Sequence, residues 1–405
     1  MAAVHTLDPP PGTPPQGAAR PLLGLPIGLF ALAGFTTGSG MRMLDPLLPL
    51  LAADFGVTVS VATGVVAAFV LPYGLVQIVA GPLGDRLGKP RVACLALLTY
   101  ALTMVASGLA PDLPALIGFR AVSGFCAGAV IPLLMAHLGD TVPYAERQGA
   151  IGRFSTGMVM AQLLAGPAAG VVAEIAGWRL PFTLLGLLAA GVGMAMVRWL
   201  GPALWHGGMR TGRGTNAGYR SLLARPAGRR LLTVAFFDGV CLFGGAFPFV
   251  GSLLIERFAL SAAESGLIVA GFGLGAFAYT RLARRLVRRF GEGGLLLAGG
   301  VGLCLGLLGL AVAPTWPVVA ALQVFLGFAF YLFHGVLQTR ATEALPEARG
   351  TAVGGFALAL FLGQSAGSLA FGLVLALAGY GAAFATAAAG VLALASYAWL
   401  SARTG

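Results

Sequence analysis

The sequence predicts an all-α membrane protein of twelve transmembrane helices in two pseudo-symmetric six-helix bundles, and three observations predict it. First, 58% of the 405 residues are hydrophobic and only 10% are charged, whereas a water-soluble globule carries roughly 25% charged residues. Second, apolar runs of about twenty residues, long enough to cross a bilayer, recur along the chain between charges, prolines and glycines. Third, the chain repeats. At one constant offset Leu83 falls on Leu286, Arg86 on Arg289, Gly88 on Gly291, Ala110-Pro111 on Ala313-Pro314, Pro114 on Pro317, Gly124 on Gly327 and Pro143 on Pro346. One deletion later Gln162, Gly170, Ala176-Gly177 and Phe182 meet Gln364, Gly372, Ala378-Gly379 and Phe384, so the halves are tandem copies.

Residues 1–23 are rich in Pro, Gly and Ala without an apolar core, and read as a disordered cytoplasmic tail, neither helix nor secretory signal. The first six-helix bundle, 24–200, holds apolar runs near 24–52, 58–81, 91–110, 114–138, 148–173 and 180–200. A Gly- and Arg-rich segment, 201–229, is too short for a domain and reads as a flexible cytoplasmic linker. The second bundle, 230–401, holds runs near 230–254, 262–281, 293–312, 316–340, 350–377 and 381–401. With an even number of crossings, both termini lie on one side.

Arginine and lysine say which side. Arg20, Arg86, Lys89, Arg91, Arg147, Arg198, the linker arginines from Arg210 to Arg230, the cluster from Arg281 to Arg289, Arg340, Arg349 and Arg403 share the side of the termini. The opposite loops hold only Arg179 and Arg257. This asymmetry places the termini and the linker in the cytoplasm, in a plasma (inner) membrane. The net charge of +11 therefore reports topology rather than nucleic-acid binding. Cys94, Cys126, Cys241 and Cys304 each fall inside an apolar run, with no disulfide or metal spacing, and read as small packing residues. No metal or cofactor is expected.

Between the second and third runs lies Gly81-Pro-Leu-Gly-Asp-Arg-Leu-Gly-Lys-Pro-Arg91, a short basic loop with one acid. Its Gly81, Leu83, Asp85, Arg86, Gly88, Lys89 and Arg91 resemble the signature of the major facilitator superfamily. Three further patterns are similar to that family's: Arg120-Ala-Val-Ser-Gly124 with Gly128 in the fourth helix; Asp140, Pro143, Glu146, Arg147 and Gly149 after it; and Gly157 followed by Gly166-Pro167-Ala-Ala-Gly170 in the fifth helix. The last resembles the motif of the drug/proton antiporter branch. The second half departs from these patterns, with Arg288 where the first has Asp85 and Ser368 where it has Gly166. The resemblance implies a secondary transporter working by alternating access, with small-molecule substrate and protons bound between the halves near the midplane.

Several side chains then become candidates. A carboxylate at Asp85 can face a neighbouring helix N-terminus, and the resemblance implies that Asp85 and Arg86 latch the cytoplasmic ends of the halves together in the outward-open state; serving insertion topology is the plainer alternative. Asp45 in the first helix, with Arg42 three residues earlier on the same helical face, is costly at membrane depth and so points to a cavity role. Asp45, Pro49 and Asp54-Phe55-Gly56 are similar to the first helix of many drug/proton antiporters, where the acid couples proton to substrate. A structural ion pair with Arg42 or Arg120 is the alternative. Arg120 stays charged and needs a partner or water, as cavity wall or as proton relay; the resemblance implies a relay against Asp45 or the ordered water between them, and a structural pin looks the same in sequence. Asp238 is the acid inside a second-half helix, a candidate for the proton or a cationic substrate unless it sits near the helix end.

Gln162 and Gln364 match across the repeat and are positioned to hydrogen-bond substrate from both sides. His334 titrates near neutral pH if exposed to a proton path; a packing residue is the alternative, and His137 carries less weight. Gly166 and Gly170, four apart, allow another helix to come close, and Pro167 leaves the carbonyl of Leu163 without its helical donor. No Walker A, H-E-x-x-H, kinase or hydrolase pattern is present, which leaves little for a membrane enzyme or sensor. The expected function is proton-coupled efflux of a small organic or drug-like compound by a monomer in the bilayer, with a proton-coupled importer, a facilitator or a lipid flippase as alternatives.

Overall fold

A computed structural model describes residues 26–204, 216–345 and 349–401, and every regular element in them is helical. The tail expected over 1–23, the arginines at 20, 210, 213 and 403, and Pro346 lie outside the described residues. The first half contains α1 (Ile27–Arg42), α2 (Leu48–Asp54), α3 (Val59–Ala62), α4 (Gly64–Leu87), α5 (Lys89–Gly108), α6 (Leu113–Thr141), α7 (Tyr144–Ala176) and α8 (Arg179–Leu200). The second contains α9 (Asn216–Ala224), α10 (Pro226–Asp238), a π-helical stretch (Gly239–Ala246), α11 (Phe247–Phe258), α12 (Ala262–Val312), α13 (Trp316–Glu343) and α14 (Arg349–Ser401).

Ten stretches of the described residues are long and apolar enough to cross a membrane. The last, Thr351–Leu400, is divided by Gly379 at φ 77, just as α12 is divided by Gly291 at φ 63. Both φ values lie in the left-handed region that glycine enters without steric cost. With α1 and α2 forming one broken crossing, the arrangement is consistent with twelve.

Three expectations are corrected. The first run is not one helix: backbone bonds shorten to Asp45 N to Arg42 O and Leu47 N to Leu44 O between α1 and α2. Pro46 removes a donor and disfavours the α conformation at Asp45. The stretch from Gly81 is not a loop either, since α4 runs through Leu87 and Gly88, at φ 95, alone makes the turn into α5. In the segment read as a flexible linker, α9 is folded: Leu222 is fully buried with Leu345 and Ala352.

The repeat is visible in packing. A Cβ on Gly124 would strike the carbonyl of Phe69, and a Cβ on Gly327 would strike the carbonyl of Phe272, the same contact in each half. Such backbone-to-backbone seams through glycine are how helices associate where lipid replaces water. Both halves also restart alike after Ala-Pro, with Pro114 and Pro317 in the first turns of α6 and α13. Buried apolar side chains form two large clusters, one between Ile27 and Leu204 and one between Leu231 and Ala398.

The halves meet along α4 with α14 and α7 with α12. Ser60 donates to the carbonyl of Gly372 at 2.5 Å, Tyr73 and Phe361 rings pack edge-on at 4.6 Å, and Ala262 and Gly266 of α12 touch Gly170 and Gly166 of α7. These contacts run from the middle of the bundle to the end away from Arg86, Lys89 and Arg340.

Candidate functional site

Asp45 lies in the turn between α1 and α2, 7% exposed, and its carbonyl touches the second half where Gly251 of α11 leaves room for it. Arg42 Nη1 stands 3.8 Å from Asp45 Oδ2, and Arg42 Nε donates to Gln162 Oε1 at 2.5 Å. Arg42 is also within electrostatic range of Tyr331 on α13. The first-half candidates Arg42, Asp45 and Gln162 therefore form one chain of contacts at the junction of the halves. An ion pair removed from water is expensive to keep and still more expensive to break one-sidedly, so a buried carboxylate here is held by its guanidinium partner.

Arg120 is placed differently from the expectation of a relay against Asp45. It is fully buried, donates from Nη2 to the carbonyl of Gly40 at 2.9 Å and from Nη1 towards Met104 Sδ at 3.7 Å, and its guanidinium lies 4.0 Å from the centre of the Phe69 ring. It ties α6 to α1, α5 and α4; a flat cation on an aromatic face is well matched. Gln364 departs from its first-half counterpart, because it is 4% exposed with Oε1 unpartnered, against the π-helical stretch at Gly239 and Gly244. Asp238 and His334, weighed separately from the sequence, are in direct contact, and neither is at a helix end facing solvent. His137 packs against Phe30 and Trp199.

In the gate motif, Gly81 has open space where a Cβ would point and Leu83 is exposed. Asp85 pairs with Lys89 at 3.3 Å, and Lys89 also pairs with Asp140 at the end of α6. Arg86 is exposed and Arg91 half-buried. Asp85 is thus engaged within its own half; the latch to the other half is expected of the outward-open state.

The fifth-helix motif does bring helices together, at two different partners. Gly157 abuts the backbone of Ala31 in α1, while Gly170 abuts Ala262 and Ala263 of α12 across the halves. Gly166 is looser: a Cβ there would sit 3.8 Å from the carbonyl of Gly266, an ordinary contact. Pro167 N lies against Gly266.

Sequence reasoning missed Glu174. Its Oε1 accepts the N–H of Ala263 in the first turn of α12 at 2.6 Å. A signal existed: an acid in the last turn of α7 opposes its own helix dipole, so it needs a positive end elsewhere. It also missed a cavity of about 500 Å³ at the same end, lined by Pro49, Thr58, Ser60, Glu256, Leu375 and Tyr380. Tyr380 donates to Glu256 there at 2.6 Å. Asp54, beyond the first crossing, accepts from Arg179 at 2.8 Å and Trp178 at 3.1 Å, and these donors hold its carboxyl below the ordinary value of 3.8.

Residues 30–253 and 231–404 match the Major Facilitator Superfamily, and the chain belongs to that family. Members of the family are transporters, and this chain is an integral membrane transport protein. It is 28% identical over 355 residues to the uncharacterized MFS-type transporter YceJ of Bacillus subtilis (strain 168), covering 84% of this chain and 87% of that protein. It is 28% identical over 359 residues to a chloramphenicol resistance protein of Streptomyces lividans, covering 85% and 88%. Among solved structures, a D-xylose-proton symporter superposes with a TM-score of 0.72 at 17% identity over 92% of this chain and 96% of that one, which shows the shared fold.

Proposed function

We propose that this transporter couples the inward movement of protons to the efflux of a small organic compound, by alternating access between a first bundle over 24–200 and a second over 230–401. The membrane is the plasma (inner) membrane, with the arginine-bearing end and the termini in the cytoplasm. The observation that carries the reading is the buried Asp45 at the junction of the halves, joined through Arg42 to Gln162. A carboxylate there has two stable conditions: ionised against Arg42, or protonated with the guanidinium released to substrate. Exchange of one for the other as the site changes sides is the elementary step of antiport. The likeness to a chloramphenicol resistance protein favours an organic, drug-like cargo. The seam of Gly170 on Ala262, away from the arginines, fits a state in which the halves are joined at that end.

The test is Asp45→Asn in proteoliposomes with an imposed pH gradient. Substrate binding is retained and gradient-driven uphill transport is lost. Normal uphill transport by this variant would remove Asp45 from the coupling step.

A further inference from the structure

Deep in the second half, α10 and α13 bring together two ionisable side chains 96 positions apart in the chain. His334 Nδ1 stands 2.5 Å from Asp238 Oδ2, with the aspartate side chain fully buried and the imidazole 4% exposed. Phe330 stacks on the ring at 4.7 Å, and Phe243 and Phe356 close its flanks. One turn further along α13, Gln338 directs its amide nitrogen at His334 Nε2 from 3.2 Å, and Gln338 is exposed. Asp238 Oδ1 is buried without a hydrogen-bond partner.

His334 Nδ1 faces the Asp238 carboxylate, and Nε2 faces the Gln338 side-chain amide, which donates to an Nε2 lone pair through its nitrogen or, turned over, accepts an Nε2–H through its oxygen. With the ring neutral and its proton on Nδ1, the pair holds one negative charge inside the membrane. Arg229 and Arg230 stand near the start of α10, the π-helical stretch contributes Cys241, and α12 contributes Tyr279. On α13 itself Tyr331 is neutral and Arg340 pairs with Glu292 at 3.3 Å, while α14 has no charged residue between Thr351 and Leu400. A buried ionisable pair of this kind is costly at membrane depth, which is the ordinary ground for reading it as a cation-exchanging site.

We propose that Asp238 and His334 are a proton-binding site of the transport cycle, loaded at His334 Nε2 from the side of Gln338. This rests on the proton-coupled reading above and adds to it a site in the second half. In the step, a proton from solvent bonds to the Nε2 lone pair, Gln338 turns its amide so that Oε1 accepts the new N–H, and the charge of the pair goes from −1 to zero. The reverse step restores the charge when the pair faces a medium of higher pH. The site also adjoins the packing of α10 against α14. Asp238 leads directly into the π-helical stretch, a feature that often marks functional segments, and Gly239 there abuts the carbonyl of Leu360 on α14.

The test uses the full-length chain with ring-labelled histidines, followed by nitrogen NMR from about pH 5 to 8, the range in which a histidine ordinarily changes charge. The His334 signal is assigned by its loss in His334→Asn, in which the side-chain amide nitrogen replaces Nδ1 opposite Asp238. The expected result is an Nδ1–H tautomer at the alkaline end, protonation of Nε2 on acidification, and uptake of one proton more by the wild type than by His334→Asn in a potentiometric titration. Asp238→Asn removes the tautomer preference. If His334→Asn does not fold, Gln338→Leu serves: it leaves both ionisable groups in place, so Nε2 still titrates while its hydrogen-bond partner is gone. An Nε2–H tautomer throughout, equal proton uptake in wild type and variant, or a curve displaced when sodium replaces choline would each overturn the site. Because this titration needs no substrate, it is separate from the antiport reading. A His334 that titrates while no pH-driven export occurs overturns antiport alone, and unaltered export by a folded His334→Asn overturns the role of the pair in the cycle.

Discussion

The carboxylate of Glu174, in the last turn of α7, accepts the backbone N–H of Ala263, in the first turn of α12, and so spans the two halves of the transporter at 2.6 Å. It supplies an anion to the positive end of a helix it does not belong to. Glu174→Gln keeps the shape and removes the charge, a change of about 0.3–1 kcal/mol at an exposed helix end. That corresponds to roughly a two- to fivefold rise in the population open at this end. Distances between spin labels on α7 and α12 measure it, and an unchanged distribution in low salt would exclude the contact as a closing element.

The glycine seam makes a sharper prediction than the motif alone. Gly170→Ala and Gly157→Ala place a methyl group into the backbones of Ala262 and Ala31, so both are expected to lose transport and folded yield. Gly166→Ala meets only an ordinary contact and is tolerated, whereas Gly166→Leu is not. Gly191→Leu, at an exposed position with open space around it, behaves as wild type. Export by inverted vesicles at matched expression, with a pH dye for leak, separates these cases. Equal loss at Gly166→Ala and Gly170→Ala would contradict the packing.

Arg120 is expected to act in folding and helix registry rather than in proton transfer. Arg120→Lys keeps the charge but cannot both reach the carbonyl of Gly40 and lie flat on Phe69. It is predicted to cost about 1–3 kcal/mol, the penalty for leaving a buried partner unsatisfied. Thermal unfolding in detergent reads this, and the residual pH dependence of transport should match the wild type.

Asp54 gives a pH dependence outside the membrane. Its folded-state pKa is lowered by Arg179 and Trp178, so its contribution to stability is present above the ordinary value of 3.8 and is lost as pH falls through the lower, folded value. The carboxylate is 42% exposed, so the effect is small and screened by salt. Asp54→Asn should flatten the acid limb of a melting-temperature profile and leave the neutral region almost unchanged.

Much of the fold is legible because membrane crossing imposes simple rules. Apolar length, arginine placement and the repeat reflect local composition, and even the turn at Gly88 has a local cause in one glycine. The break at Asp45 is less legible, since a proline within an apolar run also reads as a kink in a continuous helix. What escapes the sequence is pairing between elements. Nothing local says that Asp238 will meet His334, or that Gln162 will hold Arg42 while its repeat partner Gln364 is sealed against the π-helical stretch. Glu174 was legible in principle, as an acid at the wrong end of its helix. The helix α9 was hidden because Gly and Arg dominate the segment around it.

Proton-coupled efflux is tested most directly by one measurement: proton flux and substrate flux recorded together in proteoliposomes of known orientation, with a pH gradient imposed and a panel of organic compounds inside. Antiport predicts that protons enter the cytoplasmic-equivalent compartment as substrate leaves it, and that reversing the gradient reverses both flows. Flows in the same direction, or substrate movement indifferent to the gradient, would contradict it.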